Sequence, residues 1–213
     1  TQTLKPKKTT MASVTTPITC DVSDKYNLIC KPEQSGKTFV MLQRIIKELE
    51  EPSTNKTVIN IILCDNNLLL TKQTSQRVKK EILPITVDGK SYVEFSSSRA
   101  SSASNISDVW THITMNGVCN VICCANGTRV SDISEIVQQF NTNPLTKGRY
   151  SFKIWLDEAD KFTKFIDRTF APLVTQYANF EVYFITATPK RLFDQYESMN
   201  VIPLEFTTGP NYH

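Results

Sequence analysis

Two short clusters in this 213-residue chain hold side chains suited to phosphate chemistry. The first is Gln34-Ser35-Gly36-Lys37-Thr38, an ammonium and two hydroxyls gathered around a glycine. The second is Asp157-Glu158-Ala159-Asp160, which places three carboxylates within four residues. Acids crowded in this way repel one another unless a cation lies between them, and a Mg²⁺ carried with a nucleotide would supply it. Taken alone, they would equally suit a helix N-terminus, where the macrodipole favours Asp and Glu. Taken together, the clusters divide the work of phosphoryl transfer. Lys37 would reach the β and γ phosphates, and the Thr38 hydroxyl and Asp157 would hold Mg²⁺. Glu158 would orient and deprotonate the attacking water.

Such residues need elements that present them. Tyr26 to Cys30 is a short apolar run that enters Lys31-Pro32-Glu33-Gln34-Ser35-Gly36-Lys37-Thr38 directly. Phe39, Val40, Leu42, Ile45, Ile46 and Leu49 then recur at helical spacing. A strand, a tight loop ending in Gly-Lys-Thr and a helix form the context of a phosphate-binding loop, although the eight-residue pattern has glycine where Lys31 stands. Phe152 to Asp157 reads as a buried strand, and ligands of open α/β sheets gather at the carboxyl ends of such strands.

The remaining elements alternate. Strands are expected over Val58 to Cys64, Ser91 to Phe95, Gly117 to Cys124, Phe180 to Ile185 and Val201 to Phe206. Helices are expected over Leu68 to Leu83, where Pro84 would stop the turn, around Asp108 to Thr114, and over Ser131 to Phe140. A further helix would carry Phe162, Phe165, Ile166, Phe170 and Leu173, and Ser96 to Ser104 reads as a surface loop. The alternation implies an α/β fold with a parallel sheet and helices on both faces. Residues 1 to 20 are expected to form a polar N-terminal arm, and 21 to 213 a single domain.

Bulk properties narrow the class. The chain is 40% hydrophobic and 21% charged, with a formal charge of +3, which is too small to announce nucleic acid by itself. No apolar run is long enough to span a membrane, and the N-terminus has no signal-like core, so no membrane partner is expected. Cys64, Cys119, Cys123 and Cys124 lie in β-like runs and form no CxxC pair. They read as buried free thiols in a reducing, cytoplasmic setting. His112 and His213 have no partners at metal-ligand spacing. Trp110 and Trp155 are expected to pack rather than stack on bases.

The order of motifs over about residues 25 to 190 resembles the first RecA-like domain of superfamily 2 helicases, the group that includes DEAD-box proteins. The resemblance rests on Ser35 to Thr38 (SGKT), Asp157 to Asp160 (DEAD) and Thr186 to Pro189 (TATP). It implies a P-loop NTPase using ATP and Mg²⁺, with single-stranded or duplex RNA or DNA as partner. It also implies a coupling contact from Asp160 to Thr186 or Thr188. The family's nucleic-acid loops would correspond to Asn66 and Asn67 and to Thr128 and Arg129. In the family's adenine-reading motif, Thr19 stands where Gln belongs, and Gln34 stands where the phosphate loop usually has Gly. The loop before SGKT and the LDEAD and ITATP contexts look most like helicases of large DNA viruses. That implies an infected cytoplasm or a virion as the setting.

In this family a second RecA-like domain brings an arginine finger and the other wall of the ATP cleft, and 213 residues leave no room for it. The chain alone is therefore expected to bind nucleotide weakly, turn over slowly and leave duplexes unwound. Two rivals stay open. One is a terminase-like DNA-packaging ATPase, whose phosphate loop Gln34 to Thr38 also resembles. The other is a non-enzymatic P-loop docking module.

Overall fold

A computed structural model describes residues 25–32, 36–52, 54–82, 92–96, 101–161, 164 and 166–203. Its strands are β1 (Tyr26–Cys30), β2 (Thr57–Cys64), β3 (Tyr92–Phe95), β4 (Asn120–Cys124), β5 (Tyr150–Asp157), β6 (Phe180–Thr186) and β7 (Asn200–Val201). They form one sheet in the order β3-β4-β2-β5-β6-β1-β7, and every pairing is parallel. The helices are α1 (Lys37–Glu50), α2 (Leu68–Glu81), α3 (Ile106–Asn116), α4 (Gly127–Thr142), α5 (Ala171–Gln176) and α6 (Lys190–Gln195). No helix among the described residues is long and apolar enough to cross a membrane.

The period-two alternation of each strand divides the core between the two faces of the sheet. Phe152, Ile154 and Leu156 of β5 join Phe180, Val182 and Phe184 of β6 in a cluster covered by α3, α4, α5 and α6. Trp155 and Ile185 point the other way, into a cluster closed by Met41, Leu42 and Ile45 of α1 and Val78 of α2. Strands buried on both faces lose the polar half of the alternation, which is why β2 and β4 read as continuous apolar runs. Phe140 of α4 ties its face together, with Trp110, Tyr150 and Phe152 at ring distances of 4.2, 4.9 and 5.6 Å.

The α1–α2 face also holds a buried polar chain. The Asn60 amide donates to Asn120 Oδ1 at 3.2 Å, and the Trp155 indole N–H donates to Asn60 Oδ1 at 2.9 Å. Both Asn60 and Asn120 are buried. Asn60→Ala removes the acceptor of a buried indole and should cost about 1–3 kcal/mol in urea unfolding. Trp155→Phe in the same background should then cost much less than it does alone. Additive costs in that double-mutant cycle would refute the coupling.

Several expected boundaries change. The helix expected after β5 is broken. Ala159–Lys161 is a 3₁₀ turn, Ile166–Phe170 a π turn, and α5 starts afresh with Pro172 in its first turn. Proline lacks an N–H and its ring collides with the preceding turn, so it opens a helix better than it continues one. Phe170 and Leu173 are buried, whereas Phe162 and Phe165 lie outside the described residues. The last strand is only Asn200–Val201 in β7. Pro203 cannot extend that ladder, and residues 204 to 206 lie outside the described residues. The Ser-rich stretch is more than a surface loop where it is described. Ala103 is buried and bridges Phe95, and the Ser101 and Ser102 hydroxyls bond the Glu94 backbone. The polar arm over residues 1 to 20 also lies outside the described residues.

Candidate functional site

Because β6 lies between β1 and β5, the loops that follow these three strands meet on one rim. The Lys31 N–H donates to the Thr186 carbonyl at 3.1 Å, which fastens the phosphate-type loop to the end of β6. Gly36 starts α1 with φ 80°, a left-handed conformation that glycine adopts without strain. Among the described residues no side chain caps α1, and the first N–H groups of a helix can receive an anion. Lys37 and Thr38 occupy the first turn, Lys37 nearly buried and Thr38 half-buried. Gln34 and Ser35 lie outside the described residues.

Lys37 and the acidic cluster meet. Lys37 Nζ lies 2.9 Å from Glu158 Oε1, with side-chain exposures of 9% and 34%. Glu158 has φ 55°, a conformation that costs a non-glycine residue of order 1–3 kcal/mol and so must be held by its surroundings. The Glu158 N–H donates to Asp157 Oδ1 at 3.1 Å, and its carbonyl accepts from the Lys161 N–H at 3.0 Å. The resulting turn aims the Glu158 carboxylate back at α1.

Asp160 faces the end of β6. It accepts from the Thr186 hydroxyl at 2.6 Å and from the Thr188 hydroxyl at 3.1 Å, and the Thr188 N–H donates to Thr186 Oγ1 at 3.1 Å. Thr186 is fully buried. The acid therefore holds both threonines in a closed ring beside the Lys37–Glu158 pair.

Burial and the neighbouring Glu158 charge push the Asp157 carboxyl above its usual range. Lys37, the Glu158 N–H and the more distant Arg77 of α2 offset part of that rise. A carboxyl whose folded pKa is raised contributes stability below its unfolded pKa and loses it as pH climbs through the folded value. At neutral pH, ionised Asp157 therefore weighs against the fold. Asp157→Asn should raise stability by about 0.5–2 kcal/mol in Mg²⁺-free buffer at pH 7. The gain should vanish at acid pH, where Asp157 is neutral too. Thermal melts across pH test this, and a destabilised variant at pH 7 would contradict it.

The rim fits the expected metal in donor type. Thr38 and Asp157 offer hard oxygens, and Mg²⁺ bound with a nucleotide commonly takes one or two carboxylates besides phosphate and water. Among the described residues no group of three or more His, Cys, Asp or Glu side chains could hold a metal by itself. Five described cysteines are free thiols, and burial pushes the Cys64 thiol up to about 12, leaving it unreactive.

The four residues expected to touch nucleic acid divide. Asn66 and Thr128 are exposed at the carboxyl ends of β2 and β4. Asn67 instead caps α2, its side-chain oxygen accepting the Leu69 N–H at 2.8 Å. Arg129 is committed inside the domain. It pairs with Asp132 at 2.9 Å, donates to the Ser96 and Ser104 carbonyls, and lies 4.1 Å from the centre of the Phe95 ring. Asn126-Gly127-Thr128-Arg129 is the capped first turn of α4, with the Arg129 N–H donating to Asn126 Oδ1 at 2.9 Å. A guanidinium so engaged clamps the start of α4 to the end of β3.

Two cations near the rim were not among the expected site residues: Arg77 of α2, and Lys31, which read only as a missing glycine. The Lys31 amine lies beside Gly36, 3.9 Å from where a Cβ on that glycine would sit.

No family model and no curated protein matches this chain. Among solved structures, the Aeropyrum pernix ORC2 protein, determined as ADPNP-ADP complexes, is similar at 12% identity with a TM-score of 0.33. The match covers 85% of this chain and 51% of that one, so the chain spans about half the length of that structure. A likeness of this grade carries no functional argument.

Proposed function

We propose that this domain binds and hydrolyses Mg-ATP as a motor domain of the superfamily 2 helicase type, coupling turnover to the remodelling of RNA or DNA strands. The observation that carries the reading is the 2.9 Å approach of Lys37, at the open start of α1, to Glu158 at the end of β5. Side chains 121 positions apart in the chain meet where a phosphate-binding loop and a general base must meet.

The chain's own groups take these roles. The α1 N–H groups and Lys37 hold the β and γ phosphates, which requires the Lys37 amine to leave Glu158. The freed Glu158 carboxylate then orients and deprotonates water. Thr38 and Asp157 would hold Mg²⁺, which would neutralise phosphate charge there. The ring of Asp160, Thr186 and Thr188 lies against the same turn, so a shift of Glu158 reaches the end of β6. Exposed Asn66 and Thr128 can meet a sugar–phosphate backbone without reading sequence.

ATP hydrolysis measured with Mg²⁺, alone and with single-stranded RNA or DNA, tests the proposal. A slow basal rate stimulated by one of the nucleic acids is expected, with Thr188→Ala reducing the stimulation more than the basal rate. Hydrolysis indifferent to both nucleic acids would leave an ATPase and remove the motor.

A further inference from the structure

We infer that Lys31 is a second phosphate-binding cation, contacting a bound triphosphate beside Lys37; the inference rests on the nucleotide reading above. Lys31 follows β1 directly, and its N–H is tied to the Thr186 carbonyl, so its backbone is anchored at the rim. Its amine lies near the start of α1. A Cβ built on Gly36 would lie 3.9 Å from the Lys31 amine, and Gly36 is the residue from which α1 departs.

That position is electrostatically unfavourable for an ammonium on its own. The N-terminus of a 14-residue helix carries partial positive charge, and Lys37 adds a full one. Lys37 has Glu158 as its partner. Lys31 is half-buried, and no hydrogen bond or ion pair engages its amine among the described residues. Cations gathered at a helix start are stabilised by an anion on the N–H groups between them, and a polyphosphate supplies several oxygens for that purpose. The position that holds glycine in the general pattern thus becomes a contributor of charge.

Titration of the whole chain with tripolyphosphate, a non-hydrolysable ATP analogue and adenosine tests the inference. Lys31→Ala should weaken both polyphosphate ligands roughly 10–100-fold, the loss of one charge-assisted hydrogen bond. Any adenosine binding and the Tm should stay as in the parent. Lys31→Arg should keep affinity within a few-fold, and the salt dependence of tripolyphosphate binding should be shallower in Lys31→Ala. Unchanged tripolyphosphate affinity in Lys31→Ala would overturn the inference. So would equal losses in the Ala and Arg variants, which would mark a backbone effect. Lys31-dependent tripolyphosphate binding without ATP hydrolysis would keep the anion site and remove the motor. Hydrolysis and affinity indifferent to Lys31→Ala would do the reverse, and a parent chain that binds no polyphosphate would remove both.

Discussion

Glu158→Gln is expected to lower ATP turnover by about 10²–10⁴-fold, the usual contribution of a positioned general base. The same substitution should tighten binding of a non-hydrolysable analogue. The reason lies in the pair at the rim. Lys37 is held at 2.9 Å by the carboxylate that is to act as base, so nucleotide must compete with Glu158 for the amine. Glutamine keeps the shape and the hydrogen-bonding reach but gives up the charge, so Lys37 is released more cheaply to the phosphates. The backbone should tolerate the change as well as it tolerates Glu, because both occupy the φ 55° turn with the same penalty. Single-turnover hydrolysis and equilibrium binding separate the two effects. Turnover preserved in Glu158→Gln would assign the base elsewhere.

Lys37→Ala should weaken the same analogue by roughly 30- to 5,000-fold, following from the 2–5 kcal/mol typical of truncating a buried charged partner. The effect should fall toward the lower end, since part of the gain in the parent is spent in breaking the pair with Glu158. Stability should hardly move. Glu158 is 34% exposed on its side chain and can be hydrated once the amine is gone. Loss of the buried ammonium also removes its desolvation cost, which offsets the charge lost beside Asp157 and leaves a change of about 1 kcal/mol or less. Affinity and fold thus respond very differently to one substitution, which a melt and a titration of the same sample would show. A large loss of Tm with unchanged affinity would mean that Lys37 serves the fold.

Much of this architecture was legible before any coordinates. The apolar runs of β2, β4 and β5 stand out because parallel strands covered on both faces have no wet side to interrupt them. The stripe of Ile133, Ile136, Val137 and Phe140 placed α4 on the core. Where the reading failed, a local constraint had outweighed the pattern. The phenylalanines after β5 imitate one long apolar helix, but the left-handed turn at Glu158 and Pro172 break the chain into short pieces. The inner face of α2 carries Thr71, Thr74 and Ser75, whose hydroxyls find Cys124, Cys64 and Glu94, so hydrophobic periodicity understates its burial.

The site shows the same division. Gly-Lys-Thr and the acidic strand end could be paired because each needs the other chemically, and the rim does bring Lys37 to Glu158. Arg129 lies in the first turn of a helix that Asn126 caps, not in the loop expected there. An Asn just before a stretch of helical apolar spacing was the available signal. Lys31 was read for the glycine it replaces, which hid the charge it adds.

The most direct test is a crystal structure grown with Mg²⁺ and a non-hydrolysable ATP analogue. The account predicts the triphosphate on the first turn of α1, with the Lys37 amine moved from Glu158 to the phosphates and Mg²⁺ between Thr38 and Asp157. A nucleotide bound away from that rim, with the Lys37–Glu158 pair intact, would contradict it.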